Sequence, residues 1–284
     1  MRRRPGLLVG AAACAALWVL PPGAALAQQS EPRSRDYLFI TSVDDVRAVW
    51  VNPAGLGFVP EASVMAEAAV DRTDGSVRLS QYTLGLNSRG LGLAYERDRS
   101  RENLSVGVLR IGLGLPLGRG SIGAAMSNYG RGRQQGYDLG VSYPVLAGLV
   151  AGLAVRNLNR PQVVFQEGPQ PIITVAGATW TLAPQLANVS AEAVAVERLG
   201  TASGFDMRYR GGFVLRSRSP WPVALHAVAA VTSEGTLRQW SLGLVIGGLD
   251  RVGLVASASP TTALGEPRRF SAVGVASRRA PERR

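Results

Sequence analysis

From about Ala62 to Ser277 the chain alternates apolar with polar or small residues, and each run ends in a short Gly/Asp/Asn/Arg/Pro punctuation before the pattern restarts. A strand shows alternate side chains to two environments, so its pattern repeats every two residues. Segments of about ten such residues, separated by turns, are what a transmembrane β-barrel needs. A spanning helix needs ~20 consecutive apolar residues, and no stretch after the first ~25 supplies them. The expected fold is therefore all-β, a transmembrane antiparallel up-and-down barrel.

The chain has 284 residues and opens as a secretory signal does. Arg2, Arg3 and Arg4 supply a positive region, Leu7 to Leu20 an apolar core, and Pro21, Pro22 and Gly23 a break. Ala25-Leu26-Ala27 is an A-x-A cleavage site. The organisation expected is a signal peptide over 1–27, an N-terminal segment over 28–61 and a barrel over 62–284, with the mature chain in the bacterial outer membrane. The roughly 257 residues left after cleavage suffice for one large barrel. Cys14 is the one cysteine and leaves with the signal, which removes disulfides, thiolate nucleophiles and cysteine metal sites. All 31 basic residues are Arg, so Schiff-base and P-loop lysine chemistry is absent too. Loss of the three signal arginines leaves 28 Arg against 20 acids, a net charge of +8. These Arg are spread through turns and alternating positions. Together with export, that argues against a nucleic-acid partner and for lumenal or outer-leaflet anions.

The alternation predicts strands over 62–71, 76–86, 90–98, 103–116, 121–129, 136–143, 148–157, 172–181, 187–198, 206–216, 221–232, 236–247, 251–259 and 268–277. These number about fourteen, and bacterial barrels with both termini in the periplasm have an even count. The connections give an orientation. NSRG (87–90), LGRG (117–120), PVLAG (144–148), LAPQL (182–186), SRSPW (217–221) and GLD (248–250) are all short, as periplasmic turns are. Most intervening ones are longer, above all 159–171 and 260–267. In 137–143, Tyr137, Leu139, Val141 and Tyr143 share one face, against Asp138, Gly140 and Ser142. In 90–98, Leu91, Leu93 and Tyr95 oppose Gly92, Ala94, Glu96 and Asp98. In 207–216, Met207, Tyr209, Phe213 and Leu215 oppose Arg208, Arg210 and Arg216. Charges at one parity imply that this parity faces a polar lumen. Tyr95, Tyr129, Tyr143, Trp180 and Trp221 near strand ends suit interfacial girdles.

Two segments break the alternation. In 76–86, Ser76, Arg78 and Ser80 give way at the same parity to Tyr82, Leu84 and Leu86. In 103–116, Val106 and Val108 hand over to Leu109, Ile111, Leu113 and Leu115. A parity switch implies a β-bulge or kink in each. It serves either simple curvature or a wall that opens sideways near Ser80 or Leu109.

Ahead of the strands stands DDVRAVWVNPAGLGFVPEASV (44–64). Asp44 and Asp45 precede Val46, Ala48 and Val49 as helix-capping acids would. In the core Asn52-Pro53-Ala54-Gly55-Leu56, Pro53 fixes φ and removes a donor, and Asn52 can close an Asx-turn. Gly55 and Gly57 permit tight or φ-positive backbone, and Leu56 and Phe58 can wedge against a wall. This run resembles the N-terminal motif of FadL-type outer-membrane transporters and their PorV- and PorQ-like relatives, over about twenty residues just before the first strand. The resemblance implies a 14-stranded barrel with the N-terminal segment as a plug in the lumen. FadL-type members pass hydrophobic molecules through a side opening, whereas PorV-like members serve secretion and surface display. Two readings stay open for the motif, an entry turn without a transport role and a gating plug contact.

Catalytic patterns are scarce. His226, a lone histidine in VALHAVAAV, offers neither a metal set nor a supported triad. Gly118-Arg119-Gly120-Ser121-Ile122-Gly123 matches the dinucleotide fingerprint on paper. From Ile122 onward, however, the residues alternate as in a strand, which marks a hairpin turn. No D-x-D-x-D-G loop supports Ca²⁺. The expectation is a non-enzyme without cofactor or metal, embedded in outer-membrane lipid, with a small hydrophobic ligand as cargo. The alternative is a secretion accessory or surface scaffold presenting Asn159 to Pro171 to an exported protein. Arg78, Glu96, Asp138, Arg156, Glu192, Arg208, Arg210 and His226 are the candidate lumen residues, expected to set polarity and hold the plug by ion pairing.

Overall fold

A computed structural model describes residues 34–58, 62–73, 76–99, 105–130, 134–163, 168–183, 186–200, 204–217, 222–246, 252–259 and 268–278. The expected signal peptide, its cleavage site at Ala27 and the girdle residue Trp221 lie outside the described residues. A helical turn at Ser34–Tyr37, a short helix at Ala48–Val51 and a 3-10 turn at Pro53–Gly57 come first. The described strands come after them: β1 (Ala62–Thr73), β2 (Ser76–Ser88), β3 (Leu91–Arg99), β4 (Ser105–Leu117), β5 (Gly120–Tyr129), β6 (Gln134–Leu146) and β7 (Leu149–Arg156). Beyond the longest connection lie β8 (Ile173–Ala183), β9 (Ala187–Glu197), β10 (Phe205–Arg216), β11 (Val223–Thr232), β12 (Leu237–Ile246), β13 (Val252–Ser259) and β14 (Arg268–Arg278). Each expected segment overlaps one of them. The Gly118–Gly123 run is a hairpin, with Gly118 at φ 59° and β5 starting at Gly120.

Every strand pairs antiparallel with the next, and β1 pairs also with β14, from Ala62↔Arg278 to Arg72↔Arg268. Outward faces are apolar in strand after strand. Leu84 and Leu86 in β2, Leu91 and Leu93 in β3, Leu109, Ile111, Leu113 and Leu115 in β4, and Leu139 and Val141 in β6 all stand exposed. The opposite parity is buried, as at Asp138 and Ser142 in β6 and Ala94 and Glu96 in β3. Tyr143 and Trp180 face outward near strand ends, as girdle residues should.

The two breaks in alternation turn out differently. In β2 the register with β1 shifts between Ala69↔Gln81 and Val70↔Leu79, so Ser80 is the extra residue of a β-bulge. In β4 the ladders to β3 and β5 run without a shift, and the expected bulge is absent. Val106 and Val108 keep the inward parity, and Val108 is buried in a cluster with Tyr129 and Val163. The apparent switch arises because an apolar pair finds an apolar partner inside. Tyr129 is 2% exposed, so it belongs to this interior cluster and to no girdle.

Candidate functional site

Residues 34–58 pack against inward-facing residues of the sheet. Local chemistry shapes them first. The Asp45 carboxylate accepts from the Arg47 backbone N–H at 2.9 Å and from its guanidinium at 2.6 Å, while the Asp45 carbonyl accepts from Ala48 N–H. Burial by itself disfavours the Arg47 cation, but Asp45 and Tyr37 outweigh it and leave its pKa above the ordinary arginine value. The helix Ala48–Val51 stops where Asn52 turns extended (φ −157°). Asn52 Oδ1 then accepts from Ala54 N–H at 3.1 Å and starts the 3-10 turn, with Pro53 at the position that needs no donor. This is the expected Asx-type cap.

Tyr37, Leu38, Ile40, Val43, Val46, Val49, Trp50, Val51 and Leu56 are buried in one cluster with wall residues Met65, Val175, Val214, Val245, Val273 and Val275. This cluster is apolar and lies beside the buried charges of the inward parity, for which a polar lumen was expected. The sequence pattern conceals this because β8, β9, β11, β13 and β14 carry Val and Ala at both parities. Phe58 does not act as a wedge, since it is 37% exposed.

On the other side the wall is made of glycines. A Cβ at Gly92 or Gly112 would meet Leu56 and Val49, one at Gly123 would overlap the Pro53 backbone, and one at Gly140 would overlap Asn52 Oδ1. Gly55 and Gly57 are needed for the same reason. A Cβ there would strike the Val43 carbonyl or the Leu115 backbone. Neither has positive φ among the described residues, so close approach and not conformational freedom explains them.

Hydrogen bonds from the wall to the segment's backbone complete the seat. Arg156 donates to Val51 O (2.9 Å), Ser121 to Ala54 O (2.7 Å) and Ser241 to Asp36 O (2.8 Å). Ser63 Oγ accepts from Val46 N–H at 2.8 Å. Asn52 Nδ2 donates to Ile40 O (2.9 Å) and to Val141 O in β6 (3.3 Å). Glu192 accepts from Ile40 N–H and, at 2.7 Å, from Arg210, whose guanidinium also donates to Arg35 O and lies 5.1 Å from the Phe39 ring centroid.

The expected lumen residues thus separate into groups. Arg156, Glu192 and Arg210 hold the segment, chiefly through its backbone and not by the ion pairing expected, because a buried segment has many amides and carbonyls to satisfy. Asp138 pairs with Arg110 at 3.2 Å and accepts from Asn157 N–H. Glu96 is buried and accepts from Gln81, which also donates to Asp98. His226 is buried, with its ring edge-on to Tyr37 at 6.2 Å. Arg78 lies at the outer end of β2, where it donates to Arg99 O, and Arg208 is exposed near the outer end of β10. Neither joins the seat. Sequence reasoning missed Arg110, Gln81 and the glycines. Arg110 was readable as the lone charge at the parity of Val106 and Val108.

The connection after β7 bends inward. Val163 is buried against Val108 and Tyr129, and Arg160 pairs with Glu197 at 2.7 Å. Asn159 links back to Gln135 O and Tyr137 N–H.

No protein-family model and no curated protein matches the sequence. Solved structures match its fold. The CymD monoaromatic hydrocarbon channel gives a TM-score of 0.57 at 13% identity, covering 88% of this chain and 98% of that one. The TodX monoaromatic hydrocarbon channel, as a deltaS2 mutant, gives 0.55 at 11% identity, covering 87% and 98%. The Ralstonia pickettii toluene transporter TbuX gives 0.52 at 13% identity, covering 89% and 98%. At such identities the likeness is one of fold, an antiparallel up-and-down β architecture spanning nearly the whole of each.

Proposed function

We propose that the chain is a closed, fourteen-stranded FadL/PorV-like β-barrel of the bacterial outer membrane. Residues 28–61 form its N-terminal plug, and it passes small hydrophobic compounds. The observation that carries this reading is the apolar cluster at the centre of the interior, where Tyr37, Leu38, Ile40 and Trp50 meet Val175, Val214, Val245 and Val273. A path for ions or sugars calls for a polar, hydrated lumen, whereas small apolar solutes gain by leaving water for such a lining. The exposed Leu and Val belt supports the membrane placement. The likeness to channels named for monoaromatic hydrocarbons and toluene supports the substrate class.

Uptake of radiolabelled toluene is the test, in a host whose outer leaflet of lipopolysaccharide limits entry. Cells carrying the barrel should take it up several-fold faster than cells with an empty vector. Equal rates would refute transport. A second reading, a non-transporting barrel that aids secretion or display, is favoured by one observation. The β1–β2 ladder resumes beyond Ser80, and the ladders flanking Leu109 are unbroken, so the wall is continuous where curvature and a side opening were the two readings. Equal toluene uptake together with co-purification of one exported protein would decide for it.

A further inference from the structure

We propose that the outward corner made by the outer ends of β1 and β3 binds a phosphorylated glycolipid of the outer leaflet. The proposal rests on the outer-membrane placement above. Outward-facing residues of β3 run Leu91, Leu93, Tyr95, Arg97 and Arg99 toward the long-connection end. The two leucines are exposed, and the Tyr95 ring packs against Tyr82 of β2 at 6.2 Å. Amphipathic aromatic rings mark the boundary between hydrocarbon and headgroups. Arg97 and Arg99 stand one and two steps beyond it, each step being about 6.8 Å along the strand. On β1 the outward row Val64, Ala66, Ala68 and Val70 likewise ends in exposed Arg72, with Arg268 at the register position opposite.

Arg72, Arg97 and Arg99 are not neutralised by the acids beside them in sequence. Asp71 and Asp98 take the inward parity and accept from Ser80 and Gln81. Arg97 donates to Ser105 Oγ at 3.0 Å, and no described acid faces outward at this corner. Guanidinium groups bind phosphate through paired donors. A ligand with phosphates at the level of Arg97 and Arg99 and acyl chains along Leu84, Leu93 and Leu109 matches charge and apolar surface together. Free phosphate matches only the first.

The test uses the full-length mature barrel in detergent. Retention of bisphosphorylated lipid A is followed by native mass spectrometry, beside the Arg97→Gln/Arg99→Gln double variant. Folding of both is checked by heat-modifiable gel mobility. Each Arg near a membrane surface is worth about a factor of five, so the double variant should bind about 30-fold more weakly. Millimolar inorganic phosphate should not displace the lipid. Equal retention by both folded proteins, or displacement by inorganic phosphate, overturns the site while leaving the barrel reading intact. Absence of any heat-modifiable form overturns both.

Discussion

Asn52 is the residue whose replacement should most directly release the N-terminal segment. Its side chain is fully buried and makes three hydrogen bonds, two of which serve backbone groups with no other described partner, Ala54 N–H and Ile40 O. Asn52→Leu keeps the volume roughly and leaves both groups unsatisfied. Each such buried group costs about 1–3 kcal/mol, so docking should weaken by about 3 kcal/mol, a rise of roughly 150-fold in the undocked population. Trypsin can read this population, because it cleaves after arginine and Arg47 is only 4% exposed when docked. When opening is fast relative to cleavage, the rate follows the open fraction. In a folded barrel, cleavage after Arg47 should therefore accelerate by two orders of magnitude in Asn52→Leu. It should stay unchanged in Phe58→Ala, whose side chain is already partly exposed. Equal Arg47 cleavage in wild type and Asn52→Leu, with heat-modifiable mobility retained, would refute the reasoning.

Two further perturbations test other parts of the architecture. Glu192→Gln and Arg210→Met each break a partly buried pair and leave one partner uncompensated, which should cost about 1–3 kcal/mol apiece. The double variant should lose at least ~1 kcal/mol less than the sum of the two in denaturant-induced unfolding, and strict additivity would deny the coupling. Deletion of Ser80 removes the extra residue of the bulge and leaves every facing unchanged, so the barrel should still form. Deletion of Val108, in a regular ladder, flips all residues on one side of it and should abolish the heat-modifiable band. The opposite pair of results would contradict the register.

The outward half of the sheet is open to sequence reasoning. An apolar surround imposes one demand on every second residue, and Leu91, Leu93, Tyr137, Leu139 and Val141 all answer it. The inward half answers to whatever chain segment happens to face each residue. Val106 and Val108 mimic a kink because their partners, Tyr129 and Val163, arrive from elsewhere in the chain. Tyr129 mimics a girdle residue for the same reason. Arg156, Glu192 and Arg210 are identifiable as inward charges. That they address backbone carbonyls and an amide of residues 35–51 is not, since no side-chain pattern reports an unsatisfied backbone group. The glycine seat is present in the alternation as small residues at inward parity, but nothing local distinguishes a glycine that weakens a strand from one that admits Pro53 or Asn52.

By itself, then, the sequence determined the strand periodicity, the short and long ends, the outward belt and the capped turn at Asn52–Leu56. Each of these depends on neighbours within a dozen residues or on a uniform surrounding medium. Only the tertiary structure decided that residues 34–58 meet the sheet in an apolar cluster, that the bulge lies at Ser80 and not in β4, and that Gly92, Gly112, Gly123 and Gly140 form the surface on which the motif rests. The apolar cluster and the glycine seat depend on contacts between residues tens to more than 200 positions apart. Such pairings come into existence when strands distant in sequence pack against the segment that precedes them.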